Sequence, residues 1–541
     1  MANSSLGIRG MAVAPHNLAA ESAIDVLREG GNALEAMIAA AATIAVVYPH
    51  MNSIGGDGFW VIRGPKGVPG GIDASGPSAA RATRSWYADQ GITDKIPFRG
   101  GVAALTVAGT VAGWGRAFEL SRRNLGGRMS MSRLLSDAVH FAEHGIPVTA
   151  SQHHSTAQKL AELKERPGFA ETFLVKGAAP EIGSLFKQPR LAKTIQRIGK
   201  EGSSTFYRGG LSKLLSKELA AVGSPLNYAD LKRFDASLVD PLHIAVRPVC
   251  QGQTLGADLF NMVPPSQGII SLMILGIMNR LKSMGLDPEG PDFLHAQVEA
   301  TKLAFSIRDR SITDRDFMKV KPSALLESRH LDELAARIDM RKAAPWGQKL
   351  TPGDTIWMGV VDSNGIAVSF IQSIYHEFGS GVVLPESGVN WQNRGCSFSL
   401  DPAHINCLEP GKKPFHTLNA GLAQISDGRS MVYGTMGGDG QPQTQATIFT
   451  RAVNFADHPQ RAIERPRWLL GRTWGVPSDT LKLESRFPAA VVAELKGRGH
   501  EIEMLADWDE SVGHAGMIIR HANGVLEGGY DPRSNGAAIG Y

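Results

Sequence analysis

A long hairpin pattern near residue 355 constrains the fold more than any other sequence feature. Residues 355–362 and 366–375 are two runs rich in Val, Ile, Trp and Phe, and Ser363-Asn364-Gly365 separates them. Asn-Gly between two apolar runs is a strong hairpin signal, because both residues tolerate the positive φ angles of a tight turn. The chain is therefore predicted to contain a β-sheet that includes both runs.

Helical patterns flank this hairpin on the N-terminal side. The spacing of apolar residues predicts a helix from Asn17 to Gly30 and a second, Ala-rich helix from Asn32 to Pro49. An alternating strand is predicted at residues 59–62, and the region 115–345 reads mainly as helices, which we interpret as one lobe. With no Pro/Ser-rich linker and no internal repeat, these patterns predict one layered α and β unit.

Composition excludes several classes of function. The net charge is +4, and no block of five like charges occurs, so we expect neither nucleic acid nor an acidic membrane as a partner. The three cysteines lack CxxC spacing, so we expect no disulfide, no metal and no other cofactor. Residues 36–47 are too short an apolar run to span a bilayer, and the N-terminus carries no secretion pattern, so we expect a cytoplasmic protein.

Common catalytic signatures do not decide the chemistry. The sequence contains no HExxH, GxSxG, Walker or GxGxxG motif. Two glycine-rich loops, at 55–58 and 434–440, could present backbone N–H groups to an oxyanion, although a tight turn is the commoner role of such loops. His153, His154 and His376 are more often surface or core histidines than ligands. The residues alone do not single out a nucleophile.

A series of motifs resembles the gamma-glutamyltranspeptidase family in its order along the chain. The series starts with "GMAVAPHNLAAESAIDVLREGGNALEAMIAAAATIAVVYPHMNSIGGDGF" and continues through "VAGTVAGW", "MVPPSQG", "EATKLAFSIRDR", "GDTIWMGVVDSNGIAVSF", "FGSGVVLPESG", "TMGGDGQPQTQ", "ERPRW" and "GGYDPRSNGAAIGY". Together they cover nearly the whole chain. The resemblance implies the four-layer αββα sandwich of N-terminal-nucleophile hydrolases, an α+β fold, here with a helical lobe.

The resemblance also implies self-cleavage between Asp354 and Thr355, which makes Thr355 the nucleophile. The products would be a large subunit, 1–354, and a small subunit, 355–541, that stay together as a heterodimer in one intertwined αββα unit. A free α-amine has a pKa near 7.7–8.0 and can serve as the base for its own hydroxyl. By the same resemblance, Ser373 orients the nucleophile, and Gly437 and Gly438 supply N–H groups to the oxyanion.

Several positions depart from the family pattern for a glutamyl substrate. Ser75 and Ser397 stand where the family has the arginine and the aspartate that bind the glutamyl carboxylate and ammonium. Tyr375 replaces a common asparagine and Arg394 a glutamine. His416 and Thr417 take the places of two pocket serines. Because a desolvated ammonium without a carboxylate partner is costly, a glutamyl head group is disfavoured.

These departures predict a tighter pocket with an added positive charge, suited to a small amide that carries a carboxylate. The expected reaction is amide hydrolysis, of oxamate to oxalate and ammonia, as in the amidohydrolase branch of the family that serves purine-derived nitrogen use. The alternatives are a gamma-glutamyl hydrolase or transpeptidase, a glutaryl-type acylase and, outside enzymes, an uncleaved binding scaffold. Arg394 could instead be a structural ion-pair residue. A further oligomer is compatible with the sequence.

Overall fold

The computed structural model describes residues 2–65, 67–281, 287–347, 354–471 and 479–541. Its strands are β1 (Ser5–Gly7), β2 (Gly10–Ala14), β3 (Asp57–Arg63), β4 (Gly70–Ala74), β5 (Ile146–Pro147), β6 (Leu185–Phe186), β7 (Ser237–Val239), β8 (Leu242–Val246), β9 (Val249–Cys250), β10 (Gln253–Thr254), β11 (Ala257–Asn261), β12 (Asp354–Asp362), β13 (Ala367–Tyr375), β14 (Gly421–Ile425), β15 (Ser430–Thr435), β16 (Trp468–Leu470), β17 (Leu481–Glu484), β18 (Ile502–Leu505), β19 (Ala515–Arg520), β20 (Leu526–Tyr530) and β21 (Ala537–Gly540).

The predicted hairpin forms the centre of the first large sheet. In the described part of the chain this sheet, called sheet I, has seven strands in the order β21-β2-β12-β13-β3-β4-β7, all antiparallel. A second sheet of seven described strands, called sheet II, has the order β1-β20-β19-β15-β14-β11-β8 and is also antiparallel. Both sheets combine strands from before and after residue 354.

The two sheets pack face to face through a core of side chains that alternate along their strands. Trp357 and Ile371 of sheet I meet Leu422, Val432 and Ile518 of sheet II in this inner core. The residues of opposite phase pack outward against helices, in one core over sheet I and another over sheet II. The molecule is therefore the four-layer αββα sandwich that the resemblance implied.

The helices complete the two outer layers. They are α1 (Asn17–Arg28), α2 (Ala33–Val47), α3 (Arg84–Ala88), α4 (Thr110–Asn124), α5 (Met131–Leu134), α6 (Ser136–His144), α7 (Ala150–Leu163), α8 (Phe169–Phe173), α9 (Pro189–Glu201), α10 (Gly210–Ala221), α11 (Tyr228–Arg233), α12 (Gly268–Met278), α13 (Pro291–Ser311), α14 (Ser328–Ala335), α15 (Gln441–Val453), α16 (Pro459–Glu464) and α17 (Ala489–Gly497). Among the described residues, none of these helices is long and apolar enough to cross a bilayer.

The two N-terminal helices were predicted correctly, apart from one cap. Asn32 caps α2 through a capping box with Glu35, as its position suggested. The cap of α1 is His16, whose ring accepts a hydrogen bond from the Leu18 N–H, so Asn17 lies inside the helix. Every residue of α2 is buried, which agrees with a core helix of small residues.

The region 115–345 is less uniformly helical than its pattern suggested. Helices α10 and α13 agree with the predicted helical character, but three strands lie between them: β7 belongs to sheet I, and β8 and β11 belong to sheet II. Burial alternates along β8, where Ile244 and Val246 are buried and His243 and Ala245 are exposed. This alternation over five residues is a strand signal, which the longer helical patterns on either side obscured.

Candidate active site

Three polar side chains form a row across the inner face of sheet I. Strand pairing places Ser373 of β13 opposite Asp57 of β3, and Thr355 lies beside them on β12. All three share the phase of the inner-core residues Trp357 and Phe59. Each is almost fully buried. The row thus places two hydroxyls and a carboxyl at one end of the space between the sheets.

Thr355 lies opposite an irregularity of the neighbouring strand. The register of β12 against β13 shifts between Asp354 and Ile356, where Thr355 stands opposite two residues of β13, Ser373 and Ile374, which form a β-bulge. Bulges re-aim a side chain and are common beside active sites. The Thr355 hydroxyl accepts a hydrogen bond from Nε2 of Gln441, the first residue of α15, at 3.3 Å. The Ser373 hydroxyl accepts one from the Tyr375 backbone N–H at 2.7 Å.

The glycine pair predicted for the oxyanion lies between β15 and α15. Gly437 and Gly438 have φ angles of 113° and 50°, which L side chains rarely adopt. The Gly438 carbonyl accepts a hydrogen bond from Nε2 of Gln267 at 2.9 Å, and the next residue, Asp439, forms a buried ion pair with Arg308 at 2.7 Å. Since Gln441 follows at the start of α15 and contacts Thr355, this rigid loop lies next to the proposed nucleophile.

Arg394 and Tyr375 form one wall of the site. Arg394, in a 3₁₀ turn at Arg394–Ser397, is 1% exposed, and its guanidinium carbon lies 3.8 Å from the centroid of the Tyr375 ring. Its Nη1 donates to the Thr417 hydroxyl at 3.4 Å, whereas Nη2 has no hydrogen-bond partner among the described residues. Burial lowers the pKa of Arg394 to about 10. Arg394 forms no ion pair with any described residue.

A carboxyl and an imidazole form the opposite side of the site. Asp57 Oδ2 and His416 Nε2 are 3.3 Å apart, and both residues are fully buried. Oδ1 of Asp57 accepts the backbone N–H groups of Gly76 and Gly109, each at 3.0 Å. Burial raises the pKa of Asp57 to about 7, against the opposing effects of the Gln392 amide, the two N–H groups and Arg394. Burial, with Arg394, holds the pKa of His416 well below its usual value.

The two serines at the family's glutamyl-binding positions make contacts within the protein. Ser75 donates its hydroxyl to Asp73, whose other oxygen binds Lys413 at 2.7 Å. Ser397 donates its hydroxyl to the Phe415 carbonyl at 3.2 Å. Both serine hydroxyls are therefore bound within the protein, and neither position carries the charged side chain that the family uses to bind a glutamyl group.

One cluster of the described residues has the geometry of a metal site, and it consists of His295, Glu299 and His500. Its ligand atoms already bind one another or the protein. His295 Nδ1 and His500 Nε2 share a hydrogen bond of 2.7 Å, and Glu299 pairs with the ammonium of Lys302 at 2.7 Å. An ammonium at this position opposes a second cation, so the cluster is better suited to packing than to metal binding.

Comparison with known proteins assigns the fold and the site to a family. Residues 19–541 match the family model described as Gamma-glutamyltranspeptidase. The chain belongs to the gamma-glutamyltranspeptidase family. It is 55% identical over the whole of both chains to the oxamate amidohydrolase proenzyme of Klebsiella pneumoniae subsp. pneumoniae, and 37% identical over the whole of both chains to the glutathione hydrolase-like YwrD proenzyme of Bacillus subtilis. The crystal structure of cephalosporin acylase from Bacillus halodurans superposes with a TM-score of 0.89 at 31% identity, covering 100% of this chain and 97% of that one.

As a gamma-glutamyltranspeptidase family member the chain is a hydrolase of the N-terminal-nucleophile class, which leaves the scaffold alternative without support. The roles of individual residues stay predictions, although the structure brings nearly all of them into two neighbouring groups. Thr355, Ser373 and the glycine pair lie around the start of β12 and α15. Arg394 contacts Tyr375 and Thr417, and Ser397 lies in the same turn as Arg394. His416 precedes Thr417 in the chain and contacts Asp57.

Sequence reasoning missed Asp57 and Gln441. The loop at 55–58 was considered only for its N–H groups, yet Gly55 and Gly56 donate theirs to Ser53 within a tight turn. Asp57 has the same strand phase as Phe59, which would have indicated an inward-facing carboxyl. Gln441 was part of the quoted motif "TMGGDGQPQTQ", and its position at a helix start was the available signal.

Proposed function

We propose that this chain is a self-processing amidohydrolase that hydrolyses oxamate to oxalate and ammonia through a Thr355 acyl-enzyme. The observation that carries the proposal is Arg394, a buried guanidinium that faces the site with one N–H group unpaired among the described residues. A relative 55% identical over its full length is named an oxamate amidohydrolase proenzyme, which supports the same substrate.

Processing would use the nucleophile on its own backbone. The Thr355 hydroxyl adds to the Asp354 carbonyl carbon, the C–N bond breaks, and the nitrogen takes the proton to become a free α-amine. Water then hydrolyses the resulting ester, which leaves a carboxylate on Asp354 and restores the hydroxyl. The hydroxyl of a threonine is close to the preceding carbonyl carbon by covalent geometry, and the buried position of Thr355 in β12, opposite the β13 bulge, supports this step. The large subunit, 1–354, and the small subunit, 355–541, would then remain interleaved in both sheets.

Hydrolysis would follow with the new α-amine as base. The amine accepts the Thr355 proton while Oγ attacks the amide carbon of oxamate, and the N–H groups of Gly437 and Gly438 stabilise the oxyanion. Collapse expels ammonia, which receives the proton, and leaves an oxalyl ester on Thr355. Water activated by the same amine releases oxalate. Ser373, next to Thr355 on β13, would hold the nucleophile in position.

Arg394 would bind the substrate carboxylate. A guanidinium can offer two parallel N–H bonds to a carboxylate, and the Tyr375 ring holds its plane in a fixed orientation. A glutamyl substrate would need a partner for its ammonium, and the protein contacts of Ser75 and Ser397 provide none. The glutaryl-type acylase remains the second candidate, because it requires no ammonium partner and the fold superposes closely on a cephalosporin acylase.

A matched pair of substrates tests the proposal. Oxamide has nearly the shape of oxamate but carries an amide in place of the carboxylate. We expect kcat/KM for ammonia release to be about 10²-fold higher for oxamate, since charge-assisted hydrogen bonds contribute about 1.5–3 kcal/mol each. Equal rates on the two compounds would contradict the role of Arg394.

A wider substrate panel distinguishes the alternatives. Glutamine, a gamma-glutamyl anilide and a glutaryl amide are each expected to be hydrolysed far more slowly than oxamate. Faster turnover of the glutaryl amide would favour the acylase, and faster turnover of the gamma-glutamyl anilide would favour the hydrolase or transpeptidase. Thr355→Ala protein, purified in parallel, is the control for contaminating amidases.

A further inference from the structure

The Asp57–His416 contact has no counterpart in the chemistry described above. Its carboxyl and imidazole are both fully buried, they face each other at 3.3 Å, and the charge of Arg394 acts on the pKa of each. Oδ2 of Asp57 and both ring nitrogens of His416 lack a hydrogen bond of good geometry to any described residue, although the Gln392 amide is close enough to lower the pKa of Asp57. Buried polar atoms are normally paired, and such exceptions occur at binding and catalytic sites.

We propose that Asp57 and His416 are specificity-determining residues that take up one proton when a carboxylate binds at Arg394. The proposal rests on the proposed function for its ligand class, a small monocarboxylate, and adds two residues and a proton to it. The reasoning concerns charge. With a neutral imidazole, the pocket contains the guanidinium of Arg394 and the carboxyl of Asp57, which can balance each other. A substrate carboxylate brings a second negative charge to a buried site that has one guanidinium.

The local geometry allows one added proton to neutralise this excess negative charge. Oδ1 of Asp57 is fixed by two backbone N–H groups, so Oδ2 is the oxygen that faces His416. A proton at this contact lies on Oδ2 or on Nε2, and in either case the pair carries one negative charge less. The pKa of Asp57, raised by burial to about 7, shows that this proton is available near neutral pH.

The described side chains around the pair do not provide an alternative acceptor in that pH range. The charged and titratable groups that act on the pair from neighbouring segments are Arg394, Lys413 and Tyr207. Lys413 is paired with Asp73, and burial raises the pKa of Tyr207 well above its usual value. Burial lowers the pKa of Arg394 only to about 10. The other group that titrates near this range is the α-amine that cleavage creates on Thr355, with an ordinary pKa of about 7.7–8.0. Proton uptake that persists in the Asp57→Asn variant would assign the proton to that amine and overturn the proposal.

The sign of the pH dependence follows by linkage. Below a pH of about 7 the pair already holds its proton, so carboxylate binding needs none from solution. Above that pH each binding event must take up one proton, so KM for oxamate is expected to rise by about tenfold per pH unit. A side-chain amide is neutral at every pH and resembles a protonated carboxyl, so the Asp57→Asn variant should show KM independent of pH between about 6 and 8.5.

Pyruvate provides a direct proton count, because it carries the same carboxylate and has no amide to hydrolyse. Calorimetric titration of the processed enzyme at pH 8, in two buffers of different ionisation enthalpy, gives the number of protons taken up per pyruvate bound. We expect a value close to one for the unmodified protein and close to zero for Asp57→Asn. His416→Gln, which keeps a polar side chain of similar length, should also give a value close to zero and serves if the first variant does not fold.

The exposed pair His243–Asp258 provides the matched control. It is also a histidine–aspartate contact, with 2.7 Å between Nε2 and Oδ1, but both side chains are exposed to solvent. Asp258→Asn should leave both the KM profile and the proton count unchanged. A count near zero in the unmodified enzyme, or a KM profile with no rise above pH 7, overturns the proposal even where oxamate is hydrolysed. Failure of both oxamate hydrolysis and pyruvate binding overturns the proposed function, and this inference with it.

Discussion

Replacing Arg394 by methionine should lower activity and raise stability together. Burial lowers the pKa of Arg394 to about 10, and one pKa unit corresponds to about 1.4 kcal/mol, so the charged form costs on the order of 3 kcal/mol in the folded protein. The guanidinium carbon lies 3.8 Å from the centroid of the Tyr375 ring, and this cation–π contact offsets about 2 kcal/mol of that cost for a desolvated cation. A net cost of about 1 kcal/mol disappears in Arg394→Met, whose side chain retains much of the packing volume.

For a chain of this length, 1 kcal/mol corresponds to a rise of about 1 °C in the thermal midpoint. A structural arginine would behave in the opposite way, because removing one partner from a buried polar network costs about 3–5 kcal/mol. Activity should fall by about 10² to 10⁴ in kcat/KM for oxamate, from the loss of two charge-assisted hydrogen bonds. Arg394→Lys, which retains a point charge, should lose about 10-fold to 10²-fold, with normal self-cleavage.

Arg533 offers the matched control for this experiment. It is also buried, but its guanidinium pairs with the carboxylates of Asp531 and Glu484, which raise its pKa against the opposing effect of burial. Arg533→Met should therefore lower the thermal midpoint by several degrees and leave kcat/KM of the surviving enzyme unchanged. Scanning fluorimetry and ammonia release measure both quantities. A lower midpoint for Arg394→Met, with activity lost only in proportion to the folded fraction, would refute the carboxylate-binding role.

The other predictions concern the nucleophile's surroundings and the acid stability of the fold. Gly438→Ala should reduce oxamate turnover by about 10²-fold or more. It should also destabilise the fold by about 1–2 kcal/mol, because Gly438 has a φ of 50°, which alanine rarely adopts. Turnover equal to that of the unmodified enzyme would mean that the oxyanion donors lie elsewhere. Gln441→Leu removes the amide at 3.3 Å from the Thr355 hydroxyl and should lower kcat about tenfold in the same assay; no change would remove Gln441 from the site. Arg467 and Arg533 hold the pKa of buried Asp531 at about 2, so its contribution to stability should be present above about pH 4 and lost as the pH falls toward 2. Asp531→Asn should flatten that part of the pH–midpoint curve, and an unchanged curve would contradict the assignment.

The sequence predicted correctly those helices and strands that depend on residues close together in the chain. The Asn364-Gly365 turn identified the hairpin, and the Asn32 cap identified the start of α2, because both depend on residues close in sequence. Strands β8 and β11 were missed, since each has only five residues and depends on pairing with a distant segment: β8 pairs with β11, and β11 also pairs with β14.

The candidate site could be predicted only through the family resemblance. No local pattern distinguishes Thr355 from an ordinary strand threonine, because its surroundings come from β13 and α15. Asp57 was missed for a similar reason. Its burial and its contact with His416 connect residues far apart in the sequence, and only the folded chain brings them together. The cytoplasmic location and the subunit boundary at residue 354 stay predictions.

The identity of the nucleophile is tested most directly by the N-terminal sequence of the smaller chain in purified protein. Under denaturing conditions we expect two chains, residues 1–354 and 355–541, with the smaller one beginning Thr-Ile-Trp-Met. Thr355→Ala should give a single chain of full length, and Thr355→Ser should still be cleaved at the same bond. An uncleaved unmodified protein that hydrolyses oxamate, or a smaller chain that begins at another residue, would contradict the account.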